Sequence, residues 1–197
     1  MPIKIGPSPE ITFTNPLGWL RGCHDRIEHF LNVLMTVAAD RQGGELHRAD
    51  REALEAALRY FREAAPKHSE DEEQSLFPRL RAATPPSAVA ARPILDALET
   101  EHQTLQSMYE EVDVLIQRWL MEGALSTREG KRLLTLVQQL RAAYEKHIAI
   151  EDREVFSTAS VVLTASQMIE IGREMALRRG INPDLAIAYP IDGPPPD

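Results

Sequence analysis

The chain has 197 residues, enough for one domain with a full hydrophobic core. Its formal net charge of −8 argues against a non-specific nucleic-acid binder, because phosphate contacts need clustered Lys and Arg. The one cysteine, Cys23, excludes an intrachain disulfide and fits a reducing compartment. The sequence contains no run of about 18 apolar residues, so we expect no membrane-spanning segment. The N-terminus lacks the apolar segment of a signal peptide. We therefore expect a cytoplasmic protein with no membrane or nucleic-acid partner.

The first residues predict an extended arm followed by a long helix. Residues 1–15 contain three prolines and little periodicity, and we expect Ile11 and Phe13 to pack on the domain. A helix should then run from about Pro16 to about Asp40. Its apolar seam follows the alternating three- and four-residue spacing of a bundle helix. The seam residues are Leu17, Leu20, His24, Ile27, Leu31, Leu34 and Ala38.

The second predicted helix extends from about residue 50 to about residue 83. Pro66 lies inside it and cannot donate the i→i−4 hydrogen bond, so we expect a kink there. Pro78 should act in the same way near the end of this helix. Residues 84–87 then read as a connection, because they contain two consecutive prolines.

Three further helices complete the prediction. The third runs from about Pro93 to about Met121, and the fourth opens with the capping box Ser126-x-x-Glu129 and ends near residue 157. A shorter fifth helix opens with a second such box at Thr164-x-x-Gln167 and closes at Gly180.

Four long helices with short connections predict an all-α, up-down-up-down four-helix bundle. We divide the chain into an extended N-terminal arm (1–15), the bundle (16–157), and a C-terminal helix with a proline-rich tail (158–197).

Each of the four long helices carries one histidine on its apolar seam. These histidines are His24, His68, His102 and His147. In two helices a glutamate follows four residues later, at Glu72 and Glu151. Residues i and i+4 lie on one helix face about 6 Å apart, so each pair could bind one metal centre. A satisfied core histidine, or a surface hydrogen bond, is the alternative for any single pair.

The positions along the helices favour one shared metal site over isolated core histidines. Counting outward from turns near residues 44, 87 and 124 places the four seam histidines at one level, to within about 6 Å. Such a cluster is expensive to bury unless its members are paired or bind metal. Two other histidines should not be ligands: His29 points about 140° away from His24, and His47 lies about 30 Å from the level of His68.

Four neighbours of these positions are expected to play other roles. Glu28 is one step off the seam, and we read it as an outer neighbour or a solvated side chain. Glu73 and Asp152 directly follow the seam carboxylates and should flank the site. Cys23 is rotated by about 100° from His24 and should pack in the core.

Imidazole and carboxylate ligands suit iron, manganese or zinc. A ferritin-like di-iron site needs Glu-x-x-His on two helices, and only Glu99-x-x-His102 fits that pattern here.

The order and spacing of these motifs resemble the hemerythrin-like family, the HHE cation-binding domain, over roughly residues 17–157. The motifs are His24-Asp-Arg-Ile27, His68-x-x-x-Glu72-Glu73-x-x-Leu-Phe-Pro78, Glu101-His102-x-x-Leu105 and His147-x-x-x-Glu151-Asp152-x-x-x-Phe156. The resemblance implies a four-helix bundle around two non-haem iron ions with an oxo or hydroxo bridge. Manganese or zinc could replace iron in recombinant protein. Glu72 and Glu151 match the bridging carboxylates, and the four seam histidines match the terminal ligands.

Two departures separate this sequence from the oxygen-carrying members. They have a second histidine four residues after the one on the third helix, where this chain has Gln106. Their last helix uses His-x-x-x-x-Asp, and His147 and Asp152 satisfy that spacing. Glu151 fits better, because it repeats the His68-x-x-x-Glu72 spacing of the second helix. The iron–sulfur-repair branch carries paired cysteines in an N-terminal domain, and this chain has one cysteine.

The resemblance implies a protein that binds, senses or reacts with O2, NO or peroxide, so its partner would be a small diatomic ligand or peroxide. A di-iron peroxidase or oxidase, an iron-donating repair protein and an iron store are the alternatives.

Overall fold

The computed structural model describes residues 12–188, and every regular element in that range is helical, which confirms the all-α class. Two of the elements are single π-helical turns, named here the first and second π turns. In chain order the elements are α1 (Pro16–Arg41), α2 (Arg48–Glu63), α3 (Ala65–Asp71), the first π turn (Glu72–Leu76), α4 (Phe77–Ala82), α5 (Pro86–Glu122), α6 (Thr127–Ile150), the second π turn (Glu151–Val155), α7 (Phe156–Val162), α8 (Ala165–Arg178) and α9 (Pro183–Ala188).

The second predicted helix is divided into α2, α3, the first π turn and α4. The α-helical hydrogen-bond pattern is interrupted at Ala64, two residues before Pro66, because Pro66 has no N–H to donate to the carbonyl of Arg62. Pro78 lies in the first turn of α4, directly after the first π turn. The predicted interruption at Pro66 is therefore confirmed, whereas the π turn was not predicted.

Two predicted helix boundaries were wrong. The third helix, α5, begins at Pro86 rather than near Pro93, because proline suits a first helical turn. Pro93 is tolerated inside α5 on an exposed face, one turn after the 44% exposed Val89 whose carbonyl loses its partner. The fourth predicted helix does not end near residue 157. It continues through the second π turn to the end of α7, where Phe156 and Ala159 are fully buried.

Both predicted capping boxes are present. The Ser126 hydroxyl accepts from the Glu129 N–H, and the Glu129 carboxylate accepts from the Ser126 N–H. Thr164 and Gln167 make the same pair of bonds at the start of α8. Gly180 follows α8 with a positive φ of 69°.

Some predicted features cannot be compared with the structure. Most of the predicted arm, including Ile11, and the proline-rich end from residue 189 lie outside the described residues. The up-down-up-down order of the four helices and the three domain boundaries stay predictions. Within the described range, none of the helices has the length and apolarity that a membrane span requires.

The chain divides into two compact units. One contains Asp25–Pro66 and Asp96–Glu151, and aromatic rings form the centre of its core. Phe61 stacks on Tyr109 with ring centroids 5.0 Å apart. The Tyr109 hydroxyl lies 2.9 Å from Asp113, which also receives two hydrogen bonds from Arg62.

The other unit contains the described chain up to His24, the stretch Lys67–Leu95, and the chain from Asp152 onward. Phe13 is fully buried and stacks on Trp19 with centroids 4.1 Å apart, which confirms the predicted packing of Phe13. Helix α8 packs directly on this segment. A Cβ atom at Gly172 would overlap the backbone carbonyl of Phe13, so only glycine permits this close approach.

This contact predicts that Gly172→Ala destabilises the protein, although alanine favours helix by about 1 kcal/mol. The methyl group would have to displace the Phe13 backbone, and we expect a loss of about 1–3 kcal/mol in the free energy of unfolding. Urea denaturation measures the loss. The exposed Ser166→Ala on the same helix is the control and should change stability by less than about 0.5 kcal/mol. Equal or greater stability of Gly172→Ala would show that the contact is not close.

Candidate metal centre

The first His-x-x-x-Glu motif forms a buried group together with the histidine of α1. The rings of His24 and His68 meet edge to face with centroids 4.9 Å apart, and His68 Nε2 lies 3.6 Å from Glu72 Oε2. His24, His68 and Glu72 each offer a ligand atom within 4.8 Å of the others. Glu72 is fully buried and both histidines are at most 4% exposed.

The second motif forms a similar group with the histidine of α5. His147 Nε2 lies 3.0 Å from Glu151 Oε1, and His102 Nε2 lies 3.5 Å from the same oxygen. The two imidazole rings are 4.7 Å apart. Glu151 is fully buried, and the ligand atoms of these three residues also lie within 4.8 Å of one another.

Each of the two glutamates is the first residue of a π turn. In the first π turn the N–H of Phe77 donates to the carbonyl of Glu72, five residues back, instead of four. Such turns are rare and widen the helix locally, and they occur frequently at functional sites. The second π turn repeats the arrangement from Glu151 onward. No residue type in the sequence signals this shift of the hydrogen-bond ladder, apart from Pro78 in the first copy.

Two carboxylates outside the two groups contact histidines within them. His147 Nδ1 donates to Glu101 over 2.9 Å, which leaves Nε2 facing Glu151. A carboxylate on the second ring nitrogen is usual for a metal-binding histidine, because it fixes the tautomer and the ring orientation. Burial lowers the pKa of His147, but hydrogen bonds to Glu151 and Glu101 outweigh it, so the pKa is raised overall.

Asp152 has a comparable position beside His24. Its Oδ1 lies 3.5 Å from His24 Nδ1 and 3.5 Å from Arg21 Nε. The ring of Phe156 also stacks on His24, with centroids 5.3 Å apart and planes nearly parallel. The predicted flanking residue Asp152 therefore contacts a predicted ligand directly, a role that the spacing alone did not reveal.

Tyr144 lies one helical turn before His147 on α6. Burial and the charge of Glu151 both raise the pKa of the Tyr144 phenol, so it stays protonated at neutral pH.

The two groups do not include the remaining predicted neighbours or the excluded histidines. His29, His47 and Glu28 are exposed, Glu73 is half-buried and Cys23 is buried. Among the residues that the structure describes, the His and Glu groups able to hold an ion are drawn from the six predicted ligand residues. Their role as ligands stays a prediction.

The donor set fits a transition metal. Each group offers two imidazoles and one carboxylate, a combination that suits iron, manganese or zinc. Carboxylates with no solvent exposure are costly to bury unless a cation offsets their charge.

Comparison with known proteins agrees with this chemistry. Residues 15–159 match the family model of the hemerythrin HHE cation binding domain. The chain is also 26% identical over 177 residues to an uncharacterized protein from Haemophilus influenzae, a match covering 90% of this chain and 97% of that protein.

Metal binding to these buried groups predicts a ligand-dependent gain in stability. Fe(II) added without oxygen, at about 100 times its dissociation constant, should stabilise the metal-free protein by about 2.7 kcal/mol. Calorimetry measures the accompanying rise in Tm. Glu72→Gln should reduce the rise, because its group would bind iron less tightly, whereas Glu73→Gln, one residue further on, should keep the full rise. An equal rise in both variants would mean that Glu72 does not bind the ion.

Proposed function

Because the chain belongs to the hemerythrin HHE cation-binding family, we propose that it is a non-haem di-iron protein that binds, senses or reacts with O2, NO or peroxide. The observation that carries the proposal is the pair of buried groups, each with two imidazoles and one carboxylate. The proposed scaffold is the family's up-down-up-down four-helix bundle.

The proposed ligands divide between two ions. His24, His68 and Glu72 serve one ion, and a second set of equal composition serves the other: His102, His147 and Glu151. The complete burial of the two glutamates supports their assignment as ligands, because a bound cation would offset a buried negative charge.

Bound iron would supply redox electrons and open coordination positions for a small ligand. On α5 the chain would leave such a position without a fifth histidine. Gln106, which stands where the oxygen carriers have a fifth histidine, is exposed, and its amide donates to Glu110 over 3.1 Å. That amide contact supports a ligand set of four histidines rather than five.

The neighbouring side chains would control the environment of the ligands. Glu101 fixes His147 through Nδ1, and Phe156 covers one face of the His24 ring and keeps water from it. Tyr144 keeps its proton near Glu151, so it can donate a hydrogen bond to a charged species.

The ligand assignment predicts which substitutions change iron content. Protein made with adequate iron should hold about two ions per chain, as in other two-metal sites. His102→Ala or Glu151→Ala should lower this content sharply, whereas His29→Ala and His47→Ala, which alter exposed residues, should leave it unchanged. Elemental analysis of the purified variants measures the number of iron ions per chain. Loss of iron from His47→Ala alone, or one tightly bound zinc with no iron uptake, would refute the assignment.

The open positions predict a redox reaction rather than reversible oxygen storage. The reduced, iron-loaded protein should react with O2, peroxide or NO, and vacuum should not recover the O2. Stopped-flow absorbance follows the reaction, with metal-free protein as the control. Uptake of O2 that vacuum reverses over several cycles would identify a carrier instead.

A further inference from the structure

Helix α8 begins after residue 159, where the match to the family model ends, yet its last residue, Arg178, contacts the first π turn. The Arg178 guanidinium spans the junction between α3 and that turn. Its Nη1 donates to Asp71 Oδ1 over 2.7 Å, and its Nη2 donates to Ser75 Oγ over 2.6 Å. One side chain thus ties the last residue of α3 to the fourth residue of the π turn.

Arg179 binds the second oxygen of the same carboxylate. Its Nη2 lies 2.7 Å from Asp71 Oδ2, and its Nη1 donates to the carbonyl of Met175. The guanidinium also lies 5.3 Å over the ring of Trp19. Asp71 is fully buried, so its carboxylate depends on these two guanidinium groups to offset the cost of burial.

A third arginine supports the backbone of the turn. Arg79 Nη1 donates to the carbonyl of Ser75 over 2.8 Å, and both Nη atoms bind Glu174 of α8. A π turn shifts the backbone ladder by one residue, so carbonyls near its end need donors from elsewhere. We call Arg79, Arg178 and Arg179 the arginine clamp.

The arginine clamp acts on the residue next to a proposed ligand. Successive side chains of a helix point about 100° apart. Asp71 therefore faces α8, while the adjacent Glu72 lies beside His68. Any rotation of the turn that moved Asp71 would move the Glu72 carboxylate with it.

The second motif has no counterpart of this arrangement in its sequence. Ile150 stands where the first motif has Asp71, and Glu154 stands where it has Ser75. The Ile150 side chain has no acceptor for an arginine, and the Glu154 carboxylate accepts from its neighbour Arg153. The two groups of ligands are therefore supported differently.

We propose that α8 is a positioning element of the metal centre, and that Asp71, Arg178 and Arg179 are positioning residues that fix Glu72 through the first π turn. This inference rests on the proposed di-iron function. Its consequence is an asymmetric centre: the ion held by His24, His68 and Glu72 depends on α8, and the ion held by the other group does not.

The test follows the release of iron to a chelator from iron-loaded protein. In Asp71→Asn and Arg178→Gln, one of the two ions should leave about 10-fold faster or more, as is usual when the partner of a ligand is altered. The other ion should leave at the wild-type rate. Arg178→Lys keeps a cation for Asp71 and should restore slow release in part. Arg173→Gln is the matched control, because Arg173 is on the same helix and pairs with the exposed Asp184.

Mössbauer spectra of the same samples should change for one iron environment only. Circular dichroism checks that each variant is folded, and Arg178→Gln carries the test if Asp71→Asn does not fold. Wild-type release from both variants, or equal acceleration of both ions, would overturn the positioning role while leaving the di-iron function intact. A wild-type protein that binds no iron would overturn both.

Discussion

Burial of two carboxylates is the constraint on which the rest of this structure depends. Glu72 and Glu151 have no solvent exposure, and each lies beside imidazole nitrogens. Removing an ion from water costs on the order of several kcal/mol unless cations and hydrogen bonds compensate it. A bound metal would provide that compensation, and we propose that the π turns, Glu101 and the arginine clamp hold the donors in position for it.

Much of the fold and of the candidate site could be predicted because helices impose a simple period. The 3.6-residue repeat placed one histidine on each of four apolar seams, and the i, i+4 spacing singled out Glu72 and Glu151. The structure brings those six residues into buried groups. The capping boxes at Ser126 and Thr164 gave two helix starts correctly, because a cap is a local hydrogen-bond pattern.

The features that the sequence did not predict depend on contacts between residues far apart in the chain or on backbone bonding. The partners Glu101 and His147 are 46 residues apart, and Asp71 and Arg178 are 107 apart. The two π turns arise from a shift in backbone bonding, which residue types do not specify. The start of α5 was predicted wrongly because Pro93 was read as the first residue of the helix. Pro93 lies on an exposed face, where the helix can continue through it.

Anomalous diffraction at the iron absorption edge, from crystals of iron-loaded protein, tests the two-ion centre most directly. Two peaks are expected in each chain, each bonded to donors of one group: His24, His68 and Glu72 for one peak, and His102, His147 and Glu151 for the other. A single peak, or iron bound only at exposed side chains such as His29 or His47, would contradict a buried di-iron centre.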